Sequence, residues 1–200
     1  MDLQVDRGVA GKQRLLDAVI EHFSTEGLAD QSLRRIAEAV GSSHRMLLYH
    51  FGSKDGLLLE VARAVEARTQ QQLAAVAAVA GERTDEVVRR MWAYVADPEL
   101  AGFERLFFAL YGRALQGDAA VAPLLQGDVE HWLEANDALL EGLGAEANGV
   151  PRQVARAHAR LGLAVVRGLL LDLLATGDRA GVDAALDLFA RRYAGSWWEG

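Results

Sequence analysis

The side chains best suited to bind an anionic partner are concentrated in residues 32–54. This stretch contains four cations and two histidines but a single acid, Glu38, although the whole chain carries a net charge of -7. Lysine and arginine neutralise phosphates, and arginine also pairs bidentately with the edge of guanine. A small basic face on an acidic protein therefore favours local, oriented binding to nucleic acid. The six side chains are Arg34, Arg35, His44, Arg45, His50 and Lys54.

Two short helices joined by a tight turn are expected to position this basic stretch. Ser32 is a suitable N-cap for the first helix, whose apolar residues recur at every third or fourth position. Gly41 is expected to end that helix in a left-handed conformation, and Ser43 is expected to cap a second helix over about residues 44–50. Such a pair of helices is a helix-turn-helix.

The second of these helices has one apolar side and one side that carries polar groups. Leu47 and Phe51 are predicted to anchor it to the rest of its domain. His44, Arg45 and Leu48 then point away from these anchors. A cation and a hydrogen-bonding ring would thus lie where base edges are read in a major groove.

The remainder of the sequence is also typical of helices. Ala, Leu, Arg and Glu dominate, there are only 3 prolines, and no alternating apolar pattern is long enough for a sheet. We therefore predict an all-α fold of about nine helices, with boundaries good to a few residues. The predicted helices cover about residues 12–26, 33–40, 44–50, 54–67 and beyond, 84–96, 99–116, 119–143, 151–176 and 179–194.

Three segments are expected along the chain. Residues 1–11 are predicted to be a flexible arm, residues 12–56 the helix-turn-helix domain that binds DNA, and residues 57–200 a larger helical domain. The division follows from the basic stretch near the start and the acidity of the later part, which would keep that surface away from DNA.

Several other classes of protein are disfavoured by the sequence. The chain has no cysteine, so disulfides, thiolate metal sites and a cysteine nucleophile are excluded. No apolar run approaches the roughly 20 residues of a membrane span, and no signal-peptide pattern begins the chain, so we expect a cytoplasmic protein. Zinc-hydrolase, nucleophile-elbow and phosphate-loop motifs do not occur, so we expect neither an enzyme nor a cofactor.

The basic stretch and its flanks resemble the TetR (tetracycline-repressor) family. The matching part runs from Lys12 to about Leu59, and its most specific pattern is Leu-x-Tyr-His-Phe-x-Ser-Lys at residues 47–54, after a Gly-x-Ser turn. The family implies a larger C-terminal helical domain that dimerises and binds a small molecule. Other matching residues are Leu16-Asp17-Ala18, Phe23, Gly27 and residues 32–37.

The resemblance assigns phosphate contacts within the basic stretch. It implies such contacts for Tyr49, His50 and Lys54. Lys54 would lie at a helix N-terminus, where free N–H groups and the helix dipole favour an anion. Ser32 and Ser43 are helix caps and also candidate phosphate donors.

Base recognition is assigned to arginine. Arg34 and Arg45 are the candidates, because arginine can pair bidentately with guanine. The chain departs from the family in this helix, since Arg45, Met46 and Leu48 stand where members often have Gly, Thr and Tyr. The missing tyrosine hydroxyl removes one phosphate contact, and Arg45 either replaces that contact or reads a base.

The last two predicted helices are expected to pair with their copies in a two-fold, four-helix interface. The helix over residues 151–176 is apolar on most sides, and small residues on it would allow close approach; packing within one chain is the alternative. A homodimer also suits a palindromic double-stranded operator, whose half-sites lie about 34 Å apart. The expected interface residues are Ala155, Ala159, Gly162, Val182, Leu186 and Phe189.

The expected effector is a small molecule bound among the later helices. Aromatic side chains with a few polar groups are typical of pocket lining and equally of a packed core. Arg167, inside an apolar helix, needs a partner, which could be Asp172, a glutamate of another helix or an anionic ligand. The candidate residues are Trp92, Phe103, Phe107, Tyr111, Trp132, Asn136 and Arg167.

Effector binding would favour a spacing of the two recognition helices that does not fit the operator, so the protein would act as a ligand-released repressor. Two alternatives use the same helix-turn-helix. In one, a protein partner replaces the small molecule, and in the other the chain activates transcription instead of repressing it.

Overall fold

The structure, a computed structural model, describes residues 2–28, 31–77, 83–125 and 149–193 of the 200-residue chain. Those ranges contain eight α-helices, two short 3-10 helices and no strand, so the predicted all-α fold is confirmed. The 3-10 helices are Pro98–Leu100 and Ala122–Leu125. The α-helices are α1 (Asp2–Glu26), α2 (Leu33–Ala39), α3 (His44–Phe51), α4 (Lys54–Ala77), α5 (Thr84–Val95), α6 (Ala101–Leu115), α7 (Arg152–Thr176) and α8 (Arg179–Tyr193).

The beginning of the chain corrects one prediction. Residues 2–11, expected to be a flexible arm, belong to α1. Gly8 and Gly11 disfavour helix by only about 1 kcal/mol each relative to alanine, and no proline interrupts the segment. The helix therefore continues through both glycines, and its start at about Lys12 was predicted wrongly.

The predicted α-helix over residues 119–143 does not begin at residue 119 in the structure. Gly117, at φ 83°, ends α6, and the Asp118 carboxylate accepts a hydrogen bond from the Ala120 N–H at 3.0 Å. These interactions form a turn before the 3-10 helix at Ala122–Leu125. The rest of that predicted helix lies outside the described residues.

The predicted caps of the helix-turn-helix are confirmed. Ser32 Oγ accepts a hydrogen bond from the Arg35 N–H at 3.3 Å, and Ser43 Oγ accepts one from the Met46 N–H at 3.2 Å. Gly41 has φ 65°, the left-handed conformation expected after α2. The serine caps set where α2 and α3 begin, and the left-handed Gly41 sets where α2 ends.

The described helices fall into two compact units. One contains α1, α2, α3, α4 up to Arg68, and α6; the other contains α5, α7 and α8. This grouping differs from the predicted boundary after residue 56, because α6 contributes Leu106 and Leu110 to the same core as Phe23 of α1. The helix-turn-helix is therefore supported by a core that extends beyond the first quarter of the sequence.

In the first unit, α6 approaches α1 closely at Gly102. A methyl group added there would overlap the backbone carbonyl oxygen of Ser24. Only a residue without a Cβ atom allows this approach, which brings the start of α6 against the end of α1.

In the second unit, α5 packs on α8 through apolar and polar contacts. Val87 and Trp92 of α5 are buried, as are Val182 and Leu186 of α8. The Trp92 indole N–H donates to Asp183 at 2.6 Å. A buried indole N–H needs such an acceptor, so the contact both satisfies Trp92 and orients α5.

Ionised side chains also connect the end of α5 to α8. Arg179 donates to Asp183 at 2.8 Å and to the Ala96 carbonyl oxygen at 2.6 Å. Burial raises the pKa of Asp183, but hydrogen bonds from Trp92 and Arg179 lower it by more, so its pKa lies below the ordinary value. Asp183 therefore remains ionised and paired at neutral pH.

No helix in the described ranges is long and apolar enough to cross a membrane. Within the same ranges, no group of three or more His, Asp or Glu side chains is placed to hold a metal ion.

Candidate nucleic-acid interface

Helix α3 is fixed to the first unit by the two residues predicted as its anchors. Leu47 is 0% exposed and Phe51 is 8% exposed, and both belong to the core of this unit. Lys12 of α1 lies over the Phe51 ring, with its Nζ 5.7 Å from the ring centroid, and forms an ion pair with Glu60 of α4 at 2.7 Å. The inner side of α3 thus contacts residues of several helices, and the outer side is left uncovered.

The connection from α3 to α4 is unusually tight. Gly52 has φ 75°, and a Cβ at Gly56 would overlap the carbonyl oxygen of Phe51. Ser53 Oγ accepts a hydrogen bond from the Gly56 N–H at 2.9 Å, as expected of an N-cap. The first turn of α4, with Lys54, is therefore held directly beside the end of α3.

The outer side of α3 is a continuous exposed surface, which we call the α3 face. Tyr49 is 77% exposed, and no hydrogen bond or ion pair inside the described ranges engages Arg45. The members of the α3 face are His44, Arg45, Met46, Leu48 and Tyr49, all of them exposed.

Arg34 and Arg35 provide two further cations on α2. Both are exposed, and Arg34 forms an i,i+4 ion pair with Glu38 at 3.2 Å. Such an exposed pair is worth only about 0.3–0.5 kcal/mol. Arg34 can therefore leave Glu38 for an anionic ligand at little cost, whereas Arg45 has no such pair to break among the residues that the structure describes.

His50 and Lys54 are less exposed than Tyr49. The His50 ring is half-buried and lies 4.9 Å from the Tyr49 ring and 6.2 Å from the Phe51 ring. Lys54 is also half-buried and already has an interaction partner within the protein. A phosphate contact by either side chain would therefore lie at the border of the α3 face.

The sequence did not reveal the roles of two residues, Lys12 and Gly56, that help to position α3 and α4. Lys12 was expected only as the start of a helix, and Gly56 was not singled out. The signal for Gly56 is a glycine in the first turn of a helix, where a better helix former would be expected. The role of Lys12 had no local signal, because its partner Glu60 is 48 residues away.

Comparison with known proteins points to one family. The family model "Bacterial regulatory proteins, tetR family" matches residues 15–61, the part of the chain that forms the helix-turn-helix and its supporting helices. The chain belongs to the tetR family. It is therefore a DNA-binding transcriptional regulator, and the resemblance noted in the sequence is confirmed.

Two named repressors are similar to this TetR-family chain. The HTH-type transcriptional repressor AcnR of Corynebacterium diphtheriae is 26% identical over 190 residues, which is 88% of each chain. The HTH-type transcriptional repressor NicS of Pseudomonas putida is 28% identical over 134 residues, covering 64% of this chain and 63% of NicS.

The fold extends the similarity beyond the family match. The crystal structure of a transcriptional regulator from Rhodococcus sp. Rha1 has a TM-score of 0.73 at 22% identity. The aligned part covers 90% of this chain and 94% of that one.

The predicted effector-binding residues of this TetR-family chain are distributed over both units. Phe103 and Phe107 are buried in the core of the first unit, where Tyr111 stacks on Phe107 with ring centroids 5.8 Å apart. Trp92, in the second unit, is buried and bonded to Asp183. Arg167, in the second unit, is half-buried and has an interaction partner within the protein. Trp132 and Asn136 lie outside the described residues.

Most of the predicted dimer residues lie inside the single chain. Ala155, Ala159, Val182 and Leu186 are buried within the single chain, so they pack α7, α8 and their neighbours together and have little surface to offer a copy. Gly162 and Phe189 are half-buried. These values describe a single chain, so the assignment of these residues to a dimer interface stays a prediction.

Proposed function

We propose that this TetR-family regulator is a repressor that binds a palindromic operator as a homodimer and leaves it when a small molecule binds. The observation that carries the proposal is the α3 face, which presents Arg45 without an intramolecular ion pair in the described ranges. The names of AcnR and NicS support repression rather than activation. Acting on DNA, the protein would work in the cytoplasm.

Residues on the α3 face and at its border would make two kinds of contact with DNA, one with bases and one with phosphates. Arg45 lies near the centre of the face and would read a guanine in the major groove. Tyr49, His50 and Lys54 would contact phosphates, which position the protein without reading sequence. Ser32 and Ser43, at the starts of α2 and α3, would donate to phosphates, and Arg34 would leave Glu38 to reach the DNA.

An exposed apolar stripe on α7 supports the homodimer. Its members recur at alternating steps of three and four residues, which is the spacing of a helix that pairs with another helix. On α8, Leu188 is 50% exposed and would extend the same interface. The exposed stripe consists of Val154, Ala157, Leu161, Ala164, Gly168, Leu171 and Ala175.

Leu171→Glu is expected to convert the dimer into monomers at micromolar concentration, because the substitution places a charge in an apolar interface. Light scattering measures the mass. The matched control is Leu115→Glu on α6, since Leu115 is 66% exposed and lies outside the stripe. A parent protein that is monomeric at the same concentration would refute the homodimer.

The support for effector binding comes from a group of aromatic side chains on α6. Phe107, Phe108 and Tyr111 form a contiguous ring cluster on α6, with Phe107 and Phe108 in edge contact at 5.5 Å. Half-buried Tyr111 combines an apolar ring with a hydroxyl, as a site for a partly apolar small molecule requires. Residues 12–56 would thus carry DNA binding, and the later helices would carry dimerisation and the response to the effector.

Arg45→Ala is expected to change which operators are bound. Binding-site selection with the parent protein would first identify the operator, and its palindromic half-sites should lie about one helical turn apart. The variant should lose about 1–3 kcal/mol on this operator and should no longer discriminate at one base pair of each half-site.

Lys54→Ala serves as the comparison for Arg45→Ala. It should weaken binding to all sequences equally and reduce the slope of affinity against salt by about 1. Electrophoretic mobility or fluorescence anisotropy titrations at several salt concentrations distinguish the two patterns. An Arg45→Ala protein that keeps the parent's discrimination at every base pair would refute base reading by Arg45.

A further inference from the structure

We propose that Met46 and Leu48 recognise thymine methyl groups, so that each operator half-site places T·A pairs on both sides of the base pair read by Arg45. This inference rests on the proposed function, since it requires α3 to enter the major groove. It assigns a specificity role to two apolar side chains that differ from the residues common in the family.

Met46 and Leu48 are large apolar side chains that the protein leaves in contact with solvent. Met46 is 43% exposed and Leu48 is 40% exposed, although Leu47 between them is 0% exposed. Covering apolar surface of this size with a partner lowers the free energy, because that surface is removed from water. The two side chains therefore favour a partner with apolar groups at the matching positions.

Helix geometry places these side chains on either side of Arg45. At about 100° per residue, Leu48 lies about 60° to one side of Arg45 and Met46 about 100° to the other side. When α3 lies in a groove with Arg45 directed at a base edge, Leu48 and Met46 face neighbouring base pairs. They can then contact two different methyl groups at the same time.

The surrounding charge selects duplex DNA as the occupant. His44 and Arg45 are exposed beside the two apolar side chains on α3, and Arg34 and Arg35 are exposed on the neighbouring helix α2. Glu38 is the only acid in residues 32–54. A basic surface that contains apolar groups fits a polyanion that also presents apolar groups. In the major groove the thymine C5-methyl is the apolar group available, whereas RNA carries uracil and closes its major groove to side chains.

Replacing thymine by deoxyuridine removes one methyl group and keeps base pairing, so it tests the inference directly. On the operator obtained by selection, each contacted thymine replaced by deoxyuridine should weaken the parent about fourfold. Leu48→Ala should lose the thymine–deoxyuridine difference at one position of each half-site, and Met46→Ala should lose it at another. Both variants should bind the deoxyuridine operator about as well as the parent does.

Two controls accompany the experiment. Leu115→Ala removes an exposed leucine on α6 and should keep the parent's full response to deoxyuridine. Deoxyuridine placed outside the half-sites should leave the affinity unchanged.

The outcomes separate this inference from the proposed function. An operator that binds equally well with thymine and deoxyuridine at every position, or half-sites without thymine beside the Arg45 base pair, would overturn the methyl contacts alone. The same holds if Leu48→Ala and Met46→Ala retain the parent's response, in which case these side chains serve a protein partner or none. Selection that enriches no duplex would overturn both proposals.

Discussion

Replacing Gly102 by alanine is expected to destabilise the protein by about 1–3 kcal/mol, the usual cost of forcing an extra methyl group into a packed contact. The added methyl would overlap the carbonyl oxygen of Ser24, and this oxygen belongs to the backbone of α1 and cannot rotate away. The α6 start and the α1 end must therefore separate. Urea denaturation followed by circular dichroism should show a lower midpoint with an unchanged slope.

Gly112 provides a matched control on the same helix. It also lies within α6, but a Cβ added there meets nothing within 4 Å. Gly112→Ala should therefore be neutral or should stabilise the protein by about 0.5–1 kcal/mol, because alanine favours helix over glycine. Equal midpoints for the two variants would contradict the close approach of α6 to α1.

Replacing Leu47 by alanine is expected to cost about 2–5 kcal/mol, the range for leucine truncation in a core. Leu47 is 0% exposed and holds the inner side of α3. Since most domains have only about 5–15 kcal/mol of stability, this loss is large. The variant should unfold at much lower urea, and its operator binding should fall with the population of folded protein.

The neighbouring residue is the control for Leu47→Ala. Leu48 has the same side chain in the same helix but is 40% exposed, so Leu48→Ala should change stability by no more than about 0.5 kcal/mol. The two adjacent leucines thus separate folding from recognition. If Leu47→Ala retained the parent's stability, the assignment of the inner side of α3 would be wrong.

The local features of the DNA-binding region were predictable from the sequence. The Ser32 and Ser43 caps, the left-handed Gly41 and the two anchors of α3 were all expected and are all present. Each depends on interactions between residues no more than a few positions apart, so a short stretch of sequence contains all of their determinants. The exposure of Arg45 follows from the same helical period once the anchors are known.

The side chosen for packing on α7 was decided only by the tertiary structure. The sequence offers an apolar row through Ala155 and Ala159 and another through Leu161 and Leu171, and periodicity does not distinguish the buried row from the exposed one. The neighbours that cover the first row belong to other helices. Which row is covered therefore depends on how those helices pack, and the periodicity of α7 alone does not determine it.

Contacts between distant residues explain the remaining differences. Trp92, which was expected to line an effector site, donates its indole N–H to Asp183, and this acceptor is 91 residues away in the chain. Residue type and spacing determine caps, turns and helical faces, because these arise within one or two helical turns. Partners for buried polar groups, and the choice of which apolar surface is covered, arise only when separate helices meet, so they are properties of the folded protein.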